Sequence, residues 1–385
     1  MKKQLVLVTG LAVLAAPAFA SKARLQALGE SANGSQYIND NRNIFLNAAH
    51  VNNHKDLVTF ETGASSQVTD GAATPRAEGG YFFSNGNMVY GVQLGQQSDI
   101  AHALRVAGLN STTTDVAEKN TIDLFVGGDA GVKWGASLLY GSTEDKSAAG
   151  ANAKKNDSMR ARLGASQGNW DAFANISLTN EVELANGNKF EGNLGYQLGG
   201  SYMLNGYTLI ANYSSFSADG TVTGDKKEVS LEQMEVGVGR AAKLNDKTSL
   251  FTKVTYRSTT AENDRAAAGN GDAFTVKKRE ATALPVVVGL EHDATSWLTV
   301  RGSIGQNVFI NEVKGQDKNS DTSTTIVNAG ATLKFGDLSV DGVVGNTNSV
   351  DGAGAGNSNT QIGESTNGQL RLDTLMTRVS MTYRF

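Results

Sequence analysis

Counting back from the C-terminus, Phe385, Tyr383, Met381, Val379, Thr377 and Leu375 fall on one phase of a two-residue period. Arg384, Thr382, Ser380, Arg378 and Thr374 fall on the other. Side chains alternate faces along a strand, so this segment has one face for an apolar medium and one for water. The pattern recurs. Val132, Trp134, Ala136, Leu138 and Tyr140 alternate with Lys133, Gly135, Ser137, Leu139 and Gly141. Val327, Ala329, Ala331, Leu333 and Phe335 alternate with Asn328, Gly330, Thr332 and Lys334. Segments around 159–166, 170–178, 190–199 and 298–304 repeat it, with Phe173 an apolar exception on a polar face. So many alternating segments in one chain require a sheet that is apolar on one side and polar on the other.

Composition decides what kind of sheet. Hydrophobic residues make up 39% of the chain, below the ~45–50% usual in globular proteins, and the mean hydropathy is −0.28. Lys2 and Lys3, the apolar run Leu5 to Ala16 and the Ala18-Phe19-Ala20 site read as an export signal cleaved after Ala20. Beyond it no stretch approaches the ~18 apolar residues of a spanning helix. An exported chain with too few apolar residues for a large soluble core, yet regular alternation, fits a barrel in which lipid touches every second side chain. The absence of cysteine rules out disulfide stapling. A net charge of −4 leaves no basic footprint, so nucleic acid is not an expected partner.

Turns supply the strand count. Short connections fall at Asn85-Gly86-Asn87, Asp129-Ala130-Gly131, Gly168-Asn169, Asn205-Gly206, Asn245-Asp246, Asp293-Ala294 and Gly336-Asp337, all residue types that suit tight hairpins. Longer polar connections lie near 63–77, 96–118, 143–157, 180–188, 217–227, 259–276, 309–322 and 346–369. Their alternation predicts an all-β, transmembrane, antiparallel up-and-down barrel of sixteen strands, with fourteen and eighteen as alternatives. The first two strands are expected near 56–62 and 79–84. The chain then divides into a signal peptide, 1–20, an N-terminal periplasmic or lumenal segment, 21–55, and the barrel, 56–385. Glycine-rich stretches at 266–271 and 351–357 read as spacers.

The ending Val379-Ser380-Met381-Thr382-Tyr383-Arg384-Phe385 resembles the assembly signal of bacterial outer-membrane proteins, with Tyr383 and Phe385 as its aromatic residues and Ser380 where glycine is frequent. The resemblance implies an outer-membrane location, contact with outer-membrane lipid and lipopolysaccharide, and insertion by the barrel-assembly machinery. The stretches Ala23–Gly29, Tyr37–Asp40 and Asn43–Ala49 resemble the start of porin-like major outer-membrane proteins of the Bdellovibrio type. Asn47-Ala48-Ala49 is also similar to the Asn-Pro-Ala motif before the first strand of long-chain fatty-acid channels, with alanine in place of proline. That likeness implies a hatch formed by 21–55 inside the lumen, and would favour fourteen strands.

Catalytic and metal chemistry leave little trace. His292 sits between Glu291 and Asp293 at a turn, His102 lies in a loop, and His50 and His54 have no obvious third ligand nearby. Asp317, Asn319 and Asp321 begin like a calcium loop, but Thr322 and Asn328 stand where glycine and glutamate are needed. No catalytic residue, metal or cofactor is therefore assigned. Alternation places Lys133, Arg160, Arg162, Lys253, Arg257 and Arg301 on the inner face, with Lys334, Arg378 and Arg384. Asp123, Asp171, Glu191, Glu235 and Asp341 join them. The excess of cations suggests a mild anion preference; charge pairing across strands is the equal alternative. In the loop 96–118, Ser98 and Asp99 can cap a short helix with Ala101, Leu104 and either Ala103 or Val106 on its apolar side. His102 and Arg105 would then turn to water, making Arg105 the candidate to meet a solute in a constriction.

A sixteen-strand barrel is too wide for its own side chains to fill. The expected function is an outer-membrane porin passing small hydrophilic solutes by diffusion. The alternatives are a transporter of hydrophobic compounds with an N-terminal hatch, and a structural or adhesive barrel. A homotrimer is compatible with this architecture, and nothing in the sequence fixes it.

Overall fold

The computed structural model describes residues 21–63, 76–109, 117–146, 154–264, 278–314, 325–346 and 375–385. The leader, both glycine-rich stretches and Asp317, Asn319 and Asp321 lie outside them. The first half of the sheet comprises Leu57–Gly63, Arg76–Asn85, Met88–Leu94, Ile122–Asp129, Lys133–Asp145, Lys154–Gln167, Trp170–Glu183, Lys189–Gly192 and Gly195–Leu204. The second comprises Tyr207–Val222, Asp225–Asn245, Thr248–Asn263, Lys278–Asp293, Leu298–Lys314, Thr325–Phe335, Leu338–Asn346 and Leu375–Arg384. Lys189–Gly192 and Gly195–Leu204 pair with the same two neighbours, so they are halves of one interrupted strand. The 17 segments therefore make sixteen strands. Each is antiparallel to the next, and the first pairs with the last, Phe60 opposite Met381. The barrel is closed and has no free edge.

The hairpins follow turn chemistry. At Asn205-Gly206 both residues take positive φ, 52° and 81°, as a two-residue turn matched to strand twist requires. The region 217–227, expected as a long loop, is different. Strands Tyr207–Val222 and Asp225–Asn245 run through it and meet at Thr223-Gly224. An ion pair between Lys226 and Asp219 at 2.9 Å, and buried Ala218 and Val229 on the opposite face, support the ladder there.

Phe385 closes the last strand. Its N–H donates to the Asp56 carbonyl at 3.1 Å, and its ring stacks on Tyr81 with centroids 5.6 Å apart. One stacked ring contributes only about 0.5–1.5 kcal/mol, too little to hold a barrel together. Removing Phe385 is therefore expected to reduce the amount of membrane-inserted protein while leaving the function of inserted molecules intact. Unchanged membrane levels and unchanged heat-modifiable gel mobility would count against this.

The two faces of the wall differ as alternation requires, with one addition. Outward Val58 and Phe60 are each 41% exposed, whereas inward Thr59 and Glu61 are only 7% and 4% exposed. Polar side chains facing an empty aqueous lumen would be accessible, so something covers them. Residues 21–54 do so. A short helix, Lys22–Ala27, is capped by the Ser21 side chain, and 3-10 turns at Asn41–Phe45 and Ala48–Asn53 are capped by Asp40 and Asn47. Ile44, Phe45 and Val51 pack on Leu57, Phe82, Val89 and Phe125. Leu25, Leu28, Tyr37 and Ile38 pack on Ile210 and Phe251, and Ala23 and Ala27 on Val343. These partners come from strands spread around the circumference, so the segment forms a plug across the lumen toward the short-turn end.

The wall is recessed to receive it. Gly127, Gly135 and Gly164 are cross-strand neighbours at one level. A Cβ on Gly127 would come within 2.5 Å of Val51, and one on Gly135 or Gly164 would overlap the backbone at Ala48 and Ala49 or the Asn47 side chain. Only glycine allows this approach.

Candidate functional site

The loop after Met88–Leu94 does not stay outside the barrel. Its helix, Asp99–Leu109, turns inward and lays Leu104, Ala107 and Leu109 against Val182, Leu184, Phe190, Ala218, Val229 and Leu231 near the long-loop end. The apolar side anticipated for this helix thus meets an apolar wall. Arg105 is the correction. It was expected to face water, but it is 0% exposed and points into the wall. Its Nε donates to Asn180 Oδ1 at 2.6 Å, Nη1 to Asn156 Oδ1 at 2.9 Å, and Nη2 to Ser158 Oγ at 2.9 Å and the Asp157 carbonyl at 3.1 Å. A helix lying flat on the wall brings a side chain next to Leu104 down onto neighbouring strands, where the side-chain oxygens of Asn156 and Asn180 accept a guanidinium.

Between this helix and the plug lies a chamber of about 270 Å³. Glu30, Gln36 and Leu46 of the plug line one end, and Ile100 and Leu104 of the helix line the other. The charged groups that line it are all in ion pairs. Arg160 binds Glu118 at 2.9 Å, and Arg162 binds Asp123 at 2.5 Å; both also donate to Gln96 Oε1. Arg257 binds Glu235 at 2.6 Å, and Lys253 binds Glu30 of the plug at 2.8 Å. Burial alone would raise the Glu118 carboxyl, yet Arg160 and Arg105 hold it below its ordinary value. Paired in this way, the inner cations present much less net charge to a solute than a count of them suggests.

The other inward charges lie nearer the short-turn end. Arg301 bridges Asp341 at 2.9 Å and Glu291 at 3.0 Å, and Glu291 also holds Arg24 of the plug at 2.9 Å. Burial pushes the Asp40 carboxyl up to about 7, against the pull of Arg24 at 3.1 Å. Lys334 reaches Asp293 at 3.0 Å, Lys133 reaches Asn53 at 2.5 Å, and Asp171 accepts from Ser201 at 2.8 Å. Arg378 and Arg384 share the inner phase with buried Ser380 and Thr382. Glu191 does not belong here. Phe190 is fully buried under the inward helix while Leu194, four residues on, is exposed on the outside. The interruption at Asn193-Leu194 shifts the phase by one residue and turns Glu191 outward.

Sequence reasoning missed the carboxylates and cations that do most of the pairing: Glu30, Arg42, Glu61, Glu78, Glu118 and Glu291. Arg42 of the plug binds Glu78 at 3.1 Å, and Lys22 joins the same carboxylate. A signal for the plug did exist. Helix caps at Ser21, Asp40 and Asn47 are legible before any strand begins. Among the described residues no group of three or more His, Cys, Asp or Glu could hold a metal ion.

No protein-family model and no curated protein matches the chain. Solved structures do. The toluene transporter TbuX of Ralstonia pickettii is 13% identical, covering 95% of this chain and 98% of its own, with a TM-score of 0.41. A FadL homologue of Pseudomonas aeruginosa is 12% identical over 95% of this chain and 98% of its own, at 0.43. A porin is 12% identical over 86% of this chain and 99% of its own, at 0.41. None of these likenesses is close enough to transfer a substrate.

Proposed function

We propose that the chain is an outer-membrane channel for small polar solutes, stoppered by residues 21–54 and roofed by the inward helix Asp99–Leu109. The observation that carries this reading is the set of amides, hydroxyls and neutralised ion pairs that line the chamber between the two, alongside apolar side chains such as Phe45, Ile176 and Ile210. Membrane insertion is argued from the closed barrel with apolar side chains exposed on its outer face, including Leu124, Leu138, Leu163 and Leu209. In that orientation the plug faces the periplasm, and passage needs it to shift. The mild anion preference loses its basis once the inner cations are paired, so selectivity between small ions is weak. Reversal potentials under a salt gradient are expected to lie near zero.

A second reading, passage of hydrophobic compounds around a lumenal hatch, is favoured by the apolar edge that Ile100, Leu104 and Phe216 give the chamber. Proteoliposomes separate the two. Swelling in small neutral and charged polar solutes, without uptake of a monoaromatic hydrocarbon above that of empty vesicles, is the expected result. Protein-dependent uptake of the hydrocarbon with no swelling would overturn the polar-channel reading.

A further inference from the structure

Strand register puts one feature of the chamber wall in view that single residues hide. Asn175 lies directly opposite Gln197, Gln197 opposite Ser214, Ser214 opposite Gln233, and Gln233 opposite Thr259. Five consecutive strands thus carry an uncharged hydrogen-bonding side chain at the same level, all on the inward phase. The first four line the chamber. Asn175 is taken up, donating to the Leu46 carbonyl at 3.0 Å and to Gln197 Oε1 at 3.2 Å. The Gln197 amino group and the Gln233 amide have no protein partner among the described residues. The rows on either side differ in kind. One holds Asn212, Glu235 and Arg257, with both charges paired. The other brings Phe216 opposite Leu231.

We propose that this ledge binds a small, uncharged, polyhydroxylated solute of monosaccharide size, a substrate class that rests on the polar-channel reading above. Three observations converge on it. Amides and hydroxyls both donate and accept, as sugar hydroxyls do. An ion entering the chamber meets only charges already satisfied by a partner, so it loses hydration without a free counter-charge. Phe216 and Leu104 flank the ledge and offer an apolar surface to the C–H face of a ring. The volume sets the size: about 270 Å³ lies just below the ~300 Å³ at which pockets for drug-sized ligands begin, room for one sugar ring rather than three.

The test is direct binding to the purified full-length protein in detergent, by calorimetry or saturation-transfer NMR, using glucose, gluconate and raffinose. Saturable glucose binding is expected, with gluconate and raffinose much weaker. Gln197→Leu with Gln233→Leu should weaken glucose about five- to thirtyfold, the loss of two neutral hydrogen bonds, while heat-modifiable mobility stays normal. Gluconate binding as well as glucose, or glucose binding unchanged in the folded double variant, overturns the assignment. Failure of the two readings is distinguishable. Vesicle swelling without saturable sugar binding removes the ledge and keeps the channel; sugar binding without swelling does the reverse.

Discussion

Filling two glycine recesses in the inner wall, Gly135→Val together with Gly164→Val, is expected to raise single-channel conductance sharply. Both positions lie mid-strand and face each other, where a pair of β-branched residues suits the sheet. Their side chains would occupy space held by Asn47, Ala48 and Ala49 of the plug. Overpacking costs about 1–3 kcal/mol per site, borne by the docked plug rather than by the barrel ladder. Two sites shift a docked–undocked equilibrium by about thirtyfold at least, at about 1.4 kcal/mol per factor of ten. Deleting 22–53 marks the upper limit, because it also removes the ion pairs of Arg24, Glu30 and Arg42 with the wall. Planar-bilayer recordings check this. If the valine pair and the deletion both conduct like the parent protein, residues 21–54 do not obstruct the lumen.

Arg105→Glu is expected to have the second-largest effect, through the opposite end of the chamber. The inward helix is held by two kinds of contact. Leu104 and Leu109 are buried, worth about 1.5–3 kcal/mol each. Arg105 adds bonds to Asn180, Asn156 and Ser158, at about 1.5–3 kcal/mol for a hydrogen bond to a charged group. Glutamate loses those bonds and places a carboxylate against amide and carbonyl oxygens near Glu118, where an unpaired buried charge costs several kcal/mol. That matches the ~3–6 kcal/mol the two leucines supply, so with the Arg105 bonds gone the helix should leave the wall. Limited proteolysis should then cut within 99–109, and conductance should rise. Arg105→Lys keeps the charge but not the planar fork, and should fall between the two. Protection of this segment in Arg105→Glu equal to that in the parent would show that the apolar contacts suffice alone.

Much of the wall was legible because a membrane barrel repeats one physical rule. Lipid demands an apolar side chain at every second position and a turn at the end of each traverse, and both appear locally in sequence. The strand count, the antiparallel order and the inward phase of Arg160, Arg162, Lys253, Arg257 and Arg301 follow from that rule alone. Where local pairing breaks it, the reading slipped. At Asn193-Leu194 an interruption moves the phase by one residue, turning Phe190 inward and Glu191 outward. No composition cue marks that shift, because the two halves alternate equally well.

The plug left a fainter trace. Phe82, Phe125, Phe173, Ile210, Phe251, Val287 and Val343 are buried on a face that alternation assigns to water, and most of them meet the N-terminal segment. Taken singly they look like noise in the pattern. They mark a lumen that is packed rather than filled with solvent throughout. Gly127, Gly135 and Gly164 look equally unremarkable until their register shows that they form one groove.

By itself, then, the sequence determined the closed sixteen-strand wall and the inward phase of Arg160, Arg162, Lys253, Arg257 and Arg301, since both arise from contacts within a strand and between hairpin neighbours. Tertiary structure alone decided what those inward groups touch. Lys253 meets Glu30 from more than two hundred residues away, Arg301 shares Glu291 with Arg24 of the plug, and Arg105 is buried among amides of strands it does not adjoin in the chain. Such partners are set by the closure of the barrel and the fit of the plug. Alternation fixes only the side to which a residue points, whereas its charge balance and access to solute depend on what lies across the lumen.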